Sequence, residues 1–111
     1  MKTTVRTVGA VSVVDLAGKI TIGEGDVVLH DKVQELLESG RNKILLNLEQ
    51  VTYMDSAGIG ELVACYKRAR EKNGTVKLLR PSGKVVDLLA LTKLEQVFEI
   101  HANETEAIAA F

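Results

Sequence analysis

Apolar residues in the opening part of the chain fall in two short runs, Thr4 to Val8 and Ala10 to Leu16, separated by Gly9. Val11, Val13 and Val14 mark the second run as a strand buried in part or whole, and Gly9 predicts a tight hairpin between the two. Gly18 is expected to break the second strand. The stretch Gly23-Glu24-Gly25-Asp26 reads as a flexible polar approach ending in an aspartate suited to capping a helix. From Val27 to Ser39 the period changes. Leu29, Val33, Leu36 and Leu37 make one helical stripe, and Gly40 supplies the C-terminal stop.

Ile44-Leu45-Leu46-Asn47-Leu48 is nearly continuous in apolar residues and predicts a short buried strand. A loop from Glu49 to Ser56 leads into a second helix reaching about Asn73. Its stripe is Ile59, Leu62, Val63, Tyr66 and Ala69, with Lys67, Arg68, Arg70 and Lys72 mostly on other faces as a solvated surface. Asn73-Gly74 ends that helix, Thr75 to Arg80 forms another strand, and Pro81 stops it. A short helix over Gly83 to Leu91 turns Val85, Leu88 and Leu89 inward. Val97 to Ile100 reads as a last strand, and Glu104 to Ala110 as a terminal helix capped by Asn103. Strands alternating with helices behind an opening hairpin predict an α/β domain with a mixed, mostly parallel β-sheet, right-handed crossovers and about four α-helices.

Composition narrows the function. A chain of 111 residues has room for one core, so residues 1–111 are read as one domain. With 14 basic against 15 acidic residues the net charge is -1, which gives no support to direct nucleic-acid binding or to an anionic membrane surface. No apolar run approaches the roughly 20 residues of a membrane span, and the start lacks the apolar stretch of a signal peptide. The single cysteine, Cys65, has no partner for an intrachain disulfide. Together these point to the cytoplasm.

Signatures of catalysis are missing. His30 and His101 belong to no metal-ligand pattern, and one cysteine makes no paired zinc motif. The glycines at 23, 25, 58 and 60 lack the remainder of a dinucleotide fingerprint, and Ser82-Gly83-Lys84 has the wrong order for a phosphate loop. No metal site and no catalytic residue is assigned.

The informative segment is Thr52-Tyr53-Met54-Asp55-Ser56-Ala57-Gly58-Ile59-Gly60-Glu61-Leu62. Two glycines in a helix's first turn each cost about 1 kcal/mol relative to alanine. What they give in return is close approach of a neighbouring element or a partner to the backbone. Asp55 and Ser56 stand where side-chain oxygens accept free amides of the helix start. A serine there is commonly only a cap. As a phosphoacceptor, it would place about 1.5 to 2 negative charges at the end of the helix that tolerates an anion.

Asp55-Ser56-Ala57-Gly58-Ile59-Gly60, preceded by the strand Ile44 to Leu48 and followed by an amphipathic helix, resembles the central motif of STAS domains, above all the stand-alone bacterial anti-sigma factor antagonists. The likeness covers nearly the whole chain. It implies that Ser56 is phosphorylated by a partner that is both anti-sigma factor and serine kinase, with Asp55 shaping the loop and the kinase contact. The unphosphorylated form would bind that kinase and free a sigma factor, and a metal-dependent serine phosphatase would restore it. ATP and metal belong to those partners, so no cofactor is assigned to this chain. Residues 55 to 60, together with Gly25 and Asp26, are the expected partner-binding positions. The stretch Thr21 to Asp26 is richer in glycine than the family pattern, which bears on partner choice. Two other readings remain: a non-switching STAS scaffold or subunit of a transport complex, and a small enzyme or nucleotide-binding domain using the Gly58/Gly60 turn as an anion cradle.

Overall fold

Gly9 adopts a positive φ of 60° in the two-residue loop that joins β1 (Lys2–Val8) to β2 (Val11–Ile20). The two strands pair antiparallel from Lys2↔Ala17 to Val8↔Val11, the hairpin expected from the sequence. The computed structural model describes all residues 1–111. Beyond the hairpin come α1 (Gly25–Glu38), β3 (Lys43–Met54), α2 (Ser56–Glu71), β4 (Thr75–Leu79), α3 (Gly83–Leu91), a single 3-10 turn (Leu94–Gln96), β5 (Ile100–His101) and α4 (Glu104–Ala109). The sheet runs β1-β2-β3-β4-β5, antiparallel at the first pair and parallel at the other three.

Strands adjacent in sequence are adjacent in space, so crossovers of one hand put their helices on one face. There Leu29 and Val33 of α1, Leu62 and Cys65 of α2, and Val85 and Leu89 of α3 close over Val14, Leu16, Ile44, Leu46 and Leu78. The opposite face carries a smaller cluster of Val11, Val13, Leu45 and Leu79, covered by Ala107 of α4 with Ile108 and Phe111. Asn103 caps α4 as expected, accepting the Glu106 amide at 3.0 Å. Arg6 then ties α4 to the hairpin, bonding Asp15 and Glu104 at 2.6 Å each.

Three expectations need correction. Gly18 does not break β2. It sits at φ 120°, and the strand continues to Ile20 through register shifts at Asp15/Ala17 and Gly18/Lys19. The Glu49 to Ser56 segment is correspondingly strand as far as Met54. Each shift adds one residue to β3 relative to β2, a bulge that resets the inward-outward alternation. Leu48, Val51 and Met54, three apart instead of two, therefore all reach the same core. Lastly, β5 begins only at Ile100; Val97 is exposed, while Phe98 is buried with its ring 5.3 Å from that of Tyr66.

Candidate functional site

The parallel strands β2 and β3 end side by side at Ile20 and Met54, and the turns that follow them meet at one carboxylate. Asp55 is the N-cap of α2, with extended backbone (φ -100°, ψ -174°). Its Oδ1 accepts the Gly58 amide at 2.9 Å, and its Oδ2 accepts the Ile22 amide at 2.9 Å from the turn between β2 and α1. These accepted amides, Ile22 first and Gly58 second, hold the Asp55 carboxyl below the ordinary carboxylate range. It is an anion that organises two loops.

Because Asp55 takes the cap, Ser56 does not. Ser56 is the first residue of α2 and is exposed. Its hydroxyl projects from the positive end of a 16-residue helix. Ala57 and Ile59 are half-buried, Gly58 is buried and Gly60 is exposed. The two glycines thus serve different ends. A Cβ on Gly58 would stand 2.2 Å from the Ile20 carbonyl oxygen and 2.6 Å from Met54 Cγ, whereas one on Gly60 would meet nothing within 4 Å.

Gly25 is buried as well, with a Cβ position 2.1 Å from the Lys19 carbonyl oxygen and 2.7 Å from Ile20 Cα. It lets the first turn of α1 press on the end of β2 as Gly58 lets α2 do so. Asp26 does not cap α1. The cap position is Glu24, whose side chain makes no cap bond, while Asp26 Oδ1 accepts the amides of Glu24 and Val27 at 3.1 and 2.8 Å from within the first turn. The helix therefore starts at Gly25, two residues before the start that an Asp26 cap would give.

Met54 is buried, but Tyr53 is 47% exposed. With Met54, Ile59, Leu88 and Thr92, it borders a groove of about 460 Å³ that contains Asp55 and Ser56 on its wall. The groove continues past Lys84, Asp87 and Leu91 of α3, and Leu91 is 81% exposed. Ile22, whose amide is held by the neighbouring Asp55 carboxylate, is 75% exposed. The contribution of α3 was missed, although its surplus of leucines was a signal: Val85 and Leu89 fill the core, leaving Leu88 half-buried and Leu91 outside.

Chemically, the site offers a free hydroxyl, a fixed carboxylate and apolar flanks, a set suited to docking another protein. No three His, Cys, Asp or Glu side chains are grouped to share a metal ion. No helix is long and apolar enough to cross a membrane. Thr52 lies within β3 and its Oγ1 donates to the Gly18 carbonyl at 3.4 Å, and Ser82 Oγ donates to the Val51 carbonyl at 2.8 Å, so neither offers a free hydroxyl at a helix entrance as Ser56 does.

A family model described as "Mlab, STAS domain" matches residues 3–100. The anti-sigma-B factor antagonist of Bacillus subtilis is 33% identical over 90 residues, covering 81% of each chain. Among solved structures, a Thermotoga maritima protein described as a candidate anti-sigma factor antagonist superimposes with a TM-score of 0.90 at 28% identity, covering 97% of this chain and 92% of its own. The Bacillus cell fate determinant SpoIIAA in its phosphorylated form shares the fold, with a TM-score of 0.77 at 22% identity and 98% of both chains covered.

Proposed function

The chain belongs to the STAS-domain family, and we propose that it is an anti-sigma factor antagonist switched by phosphorylation of Ser56. The observation that carries this reading is the division of labour at the entrance to α2. Asp55 satisfies the helix amide that a capping serine would have taken, so the Ser56 hydroxyl stands exposed and uncommitted.

In the unmodified state, the rim of Ile22, Tyr53 and Leu91 and the groove of Ile59 and Leu88 form the docking surface for an anti-sigma factor that is also a serine kinase. Binding removes that factor from its sigma factor. The kinase supplies ATP and metal. The Ser56 oxygen attacks the γ-phosphorus, the bond to the ADP oxygen breaks, and the hydroxyl proton passes to a base on the kinase.

The product adds about 1.5 to 2 negative charges beside the Asp55 carboxylate. The start of α2 tolerates them, because the helix dipole and the outward-facing amides favour an anion. The partner does not: an unpaired phosphate enclosed in an apolar interface costs several kcal/mol. Phosphorylation therefore ejects the partner without unfolding the helix, and a serine phosphatase resets the switch. The chain is a cytoplasmic binding protein in this scheme and performs no chemistry itself.

Incubation of the full chain with ATP and each anti-sigma kinase encoded in the same genome, followed by peptide mass spectrometry, tests the assignment. One phosphate on Ser56 is expected. Ser56→Ala should abolish labelling with an unchanged circular dichroism spectrum, and labelling of that variant at another residue would overturn it.

A further inference from the structure

The basic face of α2 is not used by the Ser56 site, and the structure divides it. Arg68 is turned into the fold, where Glu61 holds it at 3.1 Å. Lys67 and Arg70 are exposed, and the ion pairs of the chain, which engage Arg6, Arg68, Lys77 and Arg80 among others, leave both of them free. They flank a groove of about 490 Å³ whose floor is Val63 and Tyr66 of α2 with Leu94 and Val97 from beyond α3; Glu71 is the one acid at its edge. Val97 is 47% exposed there, although its neighbour Phe98 is buried against Tyr66.

We propose that this groove is a second docking site, occupied by an acidic peptide segment of a partner protein that inserts an apolar side chain between α2 and the Leu94–Val97 turn. The concave apolar floor accepts a bulky residue, and the two unpaired cations match carboxylates flanking it. A duplex would call for a longer cationic stripe that follows its phosphates, and a lipid surface for a protruding apolar face. This chain of net charge -1 offers neither here. The groove shares no lining residue with the one that holds Ser56, and Val63, its nearest position on α2, is 7 residues from Ser56, about 10 Å along the helix. The site is independent of the proposed switch.

Selection of a dodecamer peptide display library on the full chain, with counter-selection on Lys67→Glu/Arg70→Glu, tests the proposal. Enriched peptides are expected to combine Leu, Ile or Phe with Asp or Glu. A synthetic copy should perturb amide resonances at Val63 to Glu71 and Leu94 to Val97. Its affinity should fall roughly tenfold with the double charge reversal, fall also with Val97→Ser, and be unchanged by Ser56→Asp. No enrichment, enrichment without acidic residues, perturbation confined to the Ser56 end, or full affinity in the charge-reversed chain would overturn it. So would binding of phosphatidylglycerol vesicles or a short DNA duplex at these resonances in place of peptide, or their perturbation by chain concentration alone, which would indicate a second copy as occupant.

Discussion

Asp55 and Ile22, 33 residues apart in sequence, are joined by a 2.9 Å hydrogen bond from the Ile22 amide to the Asp55 carboxylate. The residue before the exposed serine thereby fixes two things at once, the start of α2 and the turn that leads into α1. The surface around Ser56 is built from both loops, and its shape depends on that carboxylate remaining charged.

Asp55→Ala is expected to lower the urea midpoint without changing the slope, because it removes an N-cap and a tie between loops while leaving the core intact. The effect should be pH-dependent. The carboxyl is held below its unfolded-state value in the folded chain, so its contribution is complete above the ordinary carboxylate range, near pH 4, and is lost as pH falls through the lowered folded-state value. Denaturation of wild type and variant from pH 7 downward should show their difference shrinking in that acid window. Amide resonances of Ile22 and its neighbours should shift in the variant even at neutral pH.

Gly58 and Gly60 should respond oppositely to alanine. At Gly58 the new methyl would collide with the Ile20 carbonyl and Met54, and the resulting displacement should cost about 1–3 kcal/mol. At Gly60 the space is open, and restoring helix propensity should stabilise the chain by roughly 0.5–1 kcal/mol. Urea denaturation of the two single variants reads both signs.

Arg6 links the hairpin to α4 through Asp15 and Glu104. Bonding to Arg6 is the leading cause that holds both carboxyls below their ordinary range. The groups are partly exposed, so Arg6→Ala should cost only about 1 kcal/mol. Hydrogen exchange should accelerate most in α4, whose short helix depends on this tie and on Ala107. The contribution is present above the unfolded carboxylate values and disappears as pH falls through the lowered folded ones, so the difference between wild type and variant should begin to shrink as pH drops below the ordinary carboxylate range and vanish only in stronger acid.

The helices were legible in the sequence because their apolar residues keep a helical period: Leu29, Val33, Leu36 and Leu37 in α1 are all buried, as are Leu62 and Ala69 in α2. The hairpin at Gly9 and the α4 cap at Asn103 were legible through turn and cap chemistry. The second half of β3 was not. Its two bulges space Leu48, Val51 and Met54 by three, which is the period of neither strand nor helix. The last strand was placed early because Val97 and Phe98 look alike in sequence, while only Phe98 finds a ring to pack on. At the site, Asp55-Ser56 was recognisable as a dipeptide, but which of the two caps the helix was not. The Ile22 contact left no trace either, since it uses a backbone amide, which every residue but proline possesses.

The switch itself is tested most directly by calorimetric titration of an anti-sigma factor from the same genome with the full chain, unmodified and quantitatively phosphorylated at Ser56. The unmodified chain should bind, and the phosphorylated chain should bind at least roughly thirtyfold more weakly, the equivalent of about 2 kcal/mol. Equal dissociation constants for the two forms, with the phosphate on Ser56 verified by mass, would contradict it.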